Sequence, residues 1–150
     1  MDQVDRSAKK FDYPMLITND GNYIVKAGFW DGRIIFCPIE GTPSTHFELR
    51  DHKTTVCVIA CDSAEKTMIT GCKSGEVIVW RNSNFDTTLE APSQANHWVN
   101  FKQLNDHERQ ISSIFINEEM CLFLTSSTDS YINMYNLWTA KIIRSFSHPN

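Results

Sequence analysis

No stretch of this 150-residue chain approaches the ~20 consecutive apolar residues needed to cross a bilayer. The opening segment, MDQVDRSAKK, has no apolar run either, so it does not read as a secretory signal. Basic charge is lacking too. Fourteen Lys and Arg against 18 Asp and Glu leave a formal net charge of −4, without the basic face that a nucleic-acid ligand requires. Five cysteines (Cys37, Cys57, Cys61, Cys72, Cys121) are an odd number with no CxxC pair. That speaks against a disulfide framework and for a reducing, cytoplasmic setting. A metal site built on Cys57 and Cys61 lacks further ligands at sensible spacing.

Catalytic signatures are missing as well. There is no Gly-rich phosphate loop, no HExxH and no Gly-x-Ser-x-Gly. The five histidines, at 46, 52, 97, 107 and 148, are scattered, whereas an enzyme needs titratable groups that converge. No catalytic residue, cofactor or metal is expected. A sustained 3.6-residue apolar period is absent also. The one helical candidate, Glu108 to Met120, is interrupted at Asn117-Glu118-Glu119 and fits a strand and a turn better.

What the chain does contain is a repeat. Asp51 to Trp80 overlays Asp106 to Tyr135 without a gap. Asp51-His52 falls on Asp106-His107, Thr70 on Thr125, and Trp80 on Tyr135. In both copies the His-to-Thr spacing is 18 and the His-to-aromatic spacing is 28. A more degenerate copy precedes them: Tyr23 to Gly28, then Asp31-Gly32, then Arg33 to Cys37, with Gly32 aligned to Gly75 and Ser130. Self-similarity on this scale marks stacked units that cannot bury their apolar faces singly.

Each copy reads as short strands. Runs of four to seven residues rich in Val, Ile, Phe and Tyr are punctuated by Gly, Asp, Asn and Ser, which suit tight hairpins. The pattern predicts strands near 15–18, 23–28, 33–38 and 46–50, then 55–61, 66–72, 76–81 and 98–104, then 111–116, 121–127, 131–137 and 141–146. A polar insertion near 82–97 separates the third and fourth strands of the middle copy and reads as a mobile surface loop. Residues 1–12 read as a disordered lead-in.

The phrases "DH…MITGCKSGEVIVW" and "DH…FLTSSTDSYINMY" resemble WD repeats, with Asp-His where Gly-His is usual. The resemblance implies an all-β fold: a partial WD-repeat β-propeller of three four-stranded antiparallel blades, at about 13–50, 51–104 and 105–147. It also implies a buried tetrad of His, Ser or Thr, Asp and Trp in each blade. The second blade offers His52, Thr70 and Trp80, with Ser74 in place of the Asp. The third offers His107, Thr125 and Asp129, with Tyr135 in place of Trp. The first keeps Asp31 but has Ala27 and Cys37 at the other positions and no matching His. Recurrence at fixed offsets makes these groups structural, since an active site seldom repeats along a chain.

A narrower resemblance runs from about Tyr13 to Phe146. "YIVKAGFWDGRIIF", the two Asp-His blades and the insertion after the second are similar to BEACH-domain proteins of the neurobeachin and lysosomal-trafficking-regulator group. It implies a non-enzymatic interaction scaffold, a fragment of a larger trafficking protein, cytoplasmic and peripheral on membranes or vesicles through that parent. A WD-repeat adaptor of another assembly, such as a ubiquitin ligase or signalling complex, is the alternative. Protein partners are expected, and either missing blades or self-association should cover the outer apolar faces, since propellers have four to eight blades.

Propellers bind through turns. Trp30, Lys73 and Thr128 share one slot in the hairpin turns, and Arg50, Lys53 and Arg109 flank the Asp-His turns. These six are the candidate partner-binding residues, exposed Trp and Arg being common interface anchors. For Trp30 the competing reading is a ring packed on the neighbouring blade. Trp98 is expected to be structural, and Trp138 is open between the two roles.

Overall fold

A computed structural model describes residues 13–40, 46–93 and 96–147; the lead-in 1–12 and His148 lie outside the described residues. Among the described residues there are twelve strands and no helix. They form three separate four-stranded antiparallel sheets, each built from strands consecutive in the chain. The first blade comprises β1 (Met15–Ile17), β2 (Tyr23–Lys26), β3 (Ile34–Pro38) and β4 (Phe47–Leu49). The second comprises β5 (Val56–Cys61), β6 (Thr67–Cys72), β7 (Val77–Asn82) and β8 (Trp98–Leu104). The third comprises β9 (Ile111–Asn117), β10 (Leu122–Ser127), β11 (Tyr131–Asn136) and β12 (Ile142–Ser147). All twelve predicted strands are present, displaced by no more than two residues at either end. The insertion is the connection between β7 and β8.

The alternation of side chains across a strand sorts the middle blade into two faces. Met68, Cys72, Ile78, Trp80 and Trp98 pack against Val25, Ala27, Ile34, Phe36 and Leu49 of the first blade. Ile69, Val77, Val79 and Leu104 pack against Ile111, Phe123, Tyr135 and Leu137 of the third. Both faces of β6 and β7 are therefore covered, and every residue of β6 is buried. That accounts for the unbroken apolar run of "VIVW", which would be alternating if one face met water. At about 2 kcal/mol for each large apolar side chain buried, these two seams dominate the stability of the stack. The first strands of the second and third blades, β5 and β9, lie against one another.

The outer blades each leave one face open. In the third, Phe115, Leu124 and Met134 form one cross-strand row on the face away from the second blade, with Phe115 60% exposed. In the first, Met15 and Ile17 are exposed on the corresponding outer side.

The seams are tight enough to specify residues. A Cβ added to Gly71 would sit 2.6 Å from Ile111 Cγ2. Gly32 and Gly75 have φ of +81° and +97°, and a Cβ on either would meet the backbone carbonyl of His52 at 2.2 Å or of His107 at 2.6 Å. Each hairpin turn thus lies directly on the Asp-His turn of the next blade. On the opposite rim, the Asn19 amide and side chain bond to Glu65 and Ser63, and Ser63 in turn bonds to Glu118. These polar links tie the three β-turns of that rim together.

Candidate functional site

The polar groups that the repeat picks out all sit at blade seams. His107 lies between β8 and β9, where the chain crosses from one blade to the next. Its Nε2 is 2.7 Å from Thr125 Oγ1 and its Nδ1 3.0 Å from Asp129 Oδ2. Asp129 also accepts from the Glu108 and Tyr131 amides. Burial alone would raise the Asp129 carboxyl, but these amide bonds and the His107 contact outweigh it and hold the group below its ordinary value. Tyr135 stands where the Trp is usual, and its hydroxyl donates to Asp106 Oδ2 at 2.8 Å. Asn133 Nδ2 lies 3.3 Å from both His107 Nε2 and the Tyr135 hydroxyl. Burial and the Asp106 carboxylate push the Tyr135 phenol well above its usual range. His107, Thr125, Asn133 and Tyr135 of this network are buried, and Asp106 and Asp129 meet the surface at its edge.

The second blade builds the same arrangement with different parts. Trp80 Nε1 donates to Thr70 Oγ1 at 2.9 Å, and His52 Nε2 is 2.7 Å from the same oxygen. Ser74 replaces the Asp and does not reach the histidine. Glu76, two residues on, brings Oε1 to 3.2 Å from His52 Nδ1. The pair is misaligned, so Nδ1 has no hydrogen bond. Burial pulls the His52 imidazole down to about 4, against the opposing Glu76 carboxylate, and keeps it neutral at neutral pH. Glu76 carries no sequence signal, because it stands at a position outside the tetrad pattern.

The first blade has no tetrad, and one expected position moves. Lys26 pairs with Ile35 and Ile24 with Cys37, just as Thr70 pairs with Ile78 and Met68 with Trp80. Cys37 therefore does occupy the aromatic slot, but Lys26 rather than Ala27 occupies the threonine slot. The hairpin connection is one residue longer here, so counting back from Gly32 lands on the wrong face. Ala27 is fully buried against the second blade instead. Asp31 bonds the Arg33 amide and pairs with its guanidinium at 3.5 Å.

The candidate partner-binding residues lie on the rim made by the hairpin turns and the Asp-His turns. Trp30 is 85% exposed, so its ring is not packing filler. Its turn rests on His52 and Thr54, which places Lys53 beside it. Lys73 and Thr128 are exposed at the matching turns, and the Gly75 turn rests on Arg109. Arg50 is exposed and pairs with Glu48 at 2.5 Å. An open polar depression of about 510 Å³, lined by Asp106, Glu108, Arg109, Thr128 and Asp129, lies at the third-blade end of this rim. Trp98 is buried at the first seam, 6.5 Å from Phe36, and Trp138 is 60% exposed.

One structural residue escaped the pattern altogether. Arg81 is buried, donating to Thr67 Oγ1 at 2.8 Å and to the Leu137 and Trp138 carbonyls at 2.7 and 2.5 Å. Its guanidinium lies 5.0 Å from the Trp138 ring. It bridges the second and third blades, and among the described residues it forms no ion pair with a carboxylate. Its position directly after the tetrad aromatic was the only signal available.

Three stacked four-stranded antiparallel sheets with His-Thr-aromatic networks at their seams define three blades of a partial WD-repeat β-propeller. Residues 43–81, which span most of the second blade, match the family "WD domain, G-beta repeat". The fold is similar to a crystal structure of RRP9 WD40 repeats, with TM-score 0.68 and 15% identity over 93% of this chain. It is also similar to a chain in a crystal structure of a mitotic checkpoint complex, with TM-score 0.65 and 13% identity over 88% of this chain. The chain spans 40% and 36% of the length of those two structures.

Proposed function

We propose that this chain is a non-enzymatic protein-interaction scaffold whose docking surface is the rim of hairpin and Asp-His turns, anchored on Trp30. The observation that carries the reading is the 85% exposure of that indole on a turn that rests against the His52 and Thr54 carbonyls. A large amphipathic side chain held at low entropic cost is what interface hot spots use. The His-Thr-Asp groups that could suggest catalysis are engaged in hydrogen bonds that tie together the strands and turns of their own blades. Cross-linkers placed at Trp30 and, on the opposite rim, at Glu119 test the proposal in cells. Discrete protein adducts from Trp30, lost in Lys53→Glu, are expected. Equal adduct patterns from both rims refute it.

The finer reading, a piece of a BEACH-type protein acting at membranes or vesicles, is supported by the Gly-Phe-Trp-Asp blade and the placement of the insertion. An adaptor role in another assembly is equally compatible, and the likeness to a chain of a checkpoint complex favours considering it. A BEACH domain encoded upstream in the parent transcript supports the first; its absence there supports the second.

A further inference from the structure

The second blade differs from the third at three positions that surround the same histidine. Asp129 becomes Ser74, Ser127 becomes Cys72, and Tyr131 becomes Glu76. In the third blade these residues close the network: Asp129 holds His107 Nδ1, and the Ser127 hydroxyl donates to the Arg109 carbonyl at 2.9 Å. In the second blade the network is left open. The His52 side chain has no exposed surface, yet its Nδ1 has no hydrogen-bond partner. The buried Cys72 thiol is paired only with Ser74 Oγ at 3.1 Å. The Glu76 carboxylate stands 3.2 Å from Nδ1 without forming an aligned hydrogen bond; a buried ring nitrogen left so is costly, and an ion held between the two would satisfy both.

We infer that His52, Cys72 and Glu76 form a binding site for one divalent transition-metal ion, zinc being the best match. One ligand atom from each, a His52 ring nitrogen, Cys72 Sγ and a Glu76 carboxylate oxygen, lies within 4.8 Å of the other two, and the Glu76 carboxylate is 3.2 Å from Nδ1. Tetrahedral zinc with bonds of about 2.0–2.3 Å needs ligand separations of roughly 3.5 Å. The set must therefore contract by up to about 1.3 Å at its widest, and Glu76, whose side chain is 21% exposed, is the member free to move. Charge also fits. A thiolate, a carboxylate and a neutral imidazole carry two negative charges, which a divalent ion cancels inside the seam. The remaining imidazole nitrogen is already placed: Nε2–H can donate to Thr70 Oγ1, the kind of outer contact that fixes the tautomer of a ligating histidine. The mixed nitrogen, sulfur and oxygen donors select zinc over magnesium or calcium, which take oxygen. Three protein ligands leave the fourth position to water, and the ion would clamp the Asp-His turn to β6.

The test is titration of the full chain, stripped with chelator, by cobalt(II) as a spectroscopic probe and by zinc in competition. One equivalent of cobalt should give a thiolate-to-metal absorption band that zinc abolishes. Cys72→Ser, which installs the residue found in the third blade, should lose the band, while Cys57→Ser should keep it. Glu76→Gln should weaken cobalt affinity at least tenfold. Because Cys72 is buried, Glu76→Gln decides the matter if Cys72→Ser does not fold. Absence of the band in the wild-type chain, its retention in a folded Cys72→Ser variant, or unchanged affinity in Glu76→Gln overturns the assignment.

Discussion

Thr70→Val should be among the most damaging conservative substitutions in the chain. Thr70 Oγ1 is the shared partner of Trp80 Nε1 at 2.9 Å and of His52 Nε2 at 2.7 Å, and Trp80 and His52 are each 2% exposed. Valine keeps the volume and strands both nitrogens. With about 1–3 kcal/mol for each buried polar group left unpaired, the loss is about 2–6 kcal/mol. Thr125→Val provides the internal control. There His107 Nε2 keeps Asn133 at 3.3 Å, and the Tyr135 hydroxyl keeps Asp106 at 2.8 Å, so the loss is about 1–2 kcal/mol. Thr70→Ser retains the hydroxyl and separates hydrogen bonding from packing; it should cost less than Thr70→Val. Equilibrium urea unfolding followed by tryptophan fluorescence measures all three. Equal losses for Thr70→Val and Thr125→Val, or none for Thr70→Val, would refute the structural account of the tetrad and reopen a chemical role for these groups.

Three further expectations rest on other parts of the molecule. Gly71→Ala places a methyl 2.6–2.9 Å from three Ile111 side-chain atoms, where ordinary contact begins at 3.4 Å, and should destabilise by about 1–3 kcal/mol. Ile111→Ala removes two of those atoms and leaves Cβ at 2.7 Å, so a double-mutant cycle should show partial rescue; additive losses would contradict the packing of the second seam. Asp129 is held below its ordinary value of 3.8. A carboxyl that binds protons less well when folded contributes stability that is present above that pH and lost below it. Asp129→Asn should therefore flatten the fall in stability as pH drops below about 4, and an acid limb identical to wild type would exclude the carboxyl as its source. The outer row of Phe115, Leu124 and Met134 should drive concentration-dependent association in sedimentation velocity, reduced by Phe115→Lys; a single monomeric species at every concentration argues against it.

The parts legible in the sequence were those set by alternation and by turn chemistry. Strand periodicity and the Asp-Gly, Ser-Gly and Asp-Ser turns place β2, β3, β6, β7, β10 and β11 to within two residues, because side-chain direction and turn geometry are local properties. The face of a residue after a turn of altered length is not local. Ala27 was assigned by counting back from Gly32, and one extra residue in the connection reverses its direction. Glu76 and Arg81 were invisible for a different reason. Their partners are distant in sequence: His52 meets Glu76 only when the second blade closes on itself, and the Leu137 and Trp138 carbonyls meet Arg81 only when the blades stack. Trp98 reads as structural because it opens a strand next to a polar insertion, whereas the turn position of Trp30 leaves docking and packing both open until its exposure is seen.

The seams also say what can and cannot cover the open face of the third blade. At each seam within the chain, the blade that receives its neighbour has small residues where the two approach. The turns carry Gly32 and Gly75, where a Cβ would strike the backbone of the next Asp-His turn, and beneath it stand Ala27, just past the end of β2, and Gly71 in β6. Pairing places Ser126 at the latter position in the third blade, opposite Ile132 as Gly71 is opposite Val77, and the turn position is Ser130, which keeps the positive φ of 71°. Its Cβ occupies the space that a neighbouring carbonyl fills at the other two turns. Ser126 in addition bonds Ser112 and Ser113 at 2.8 and 2.7 Å, making that part of the face polar. Whatever covers the third blade, a further blade or a second copy, must therefore stand off at this turn and make its apolar contact lower down, on Phe115, Leu124 and Met134. Ser126→Gly with Ser130→Gly should then leave association through Phe115 unchanged, whereas stronger association in that variant would show that the first two seams are the template for the third.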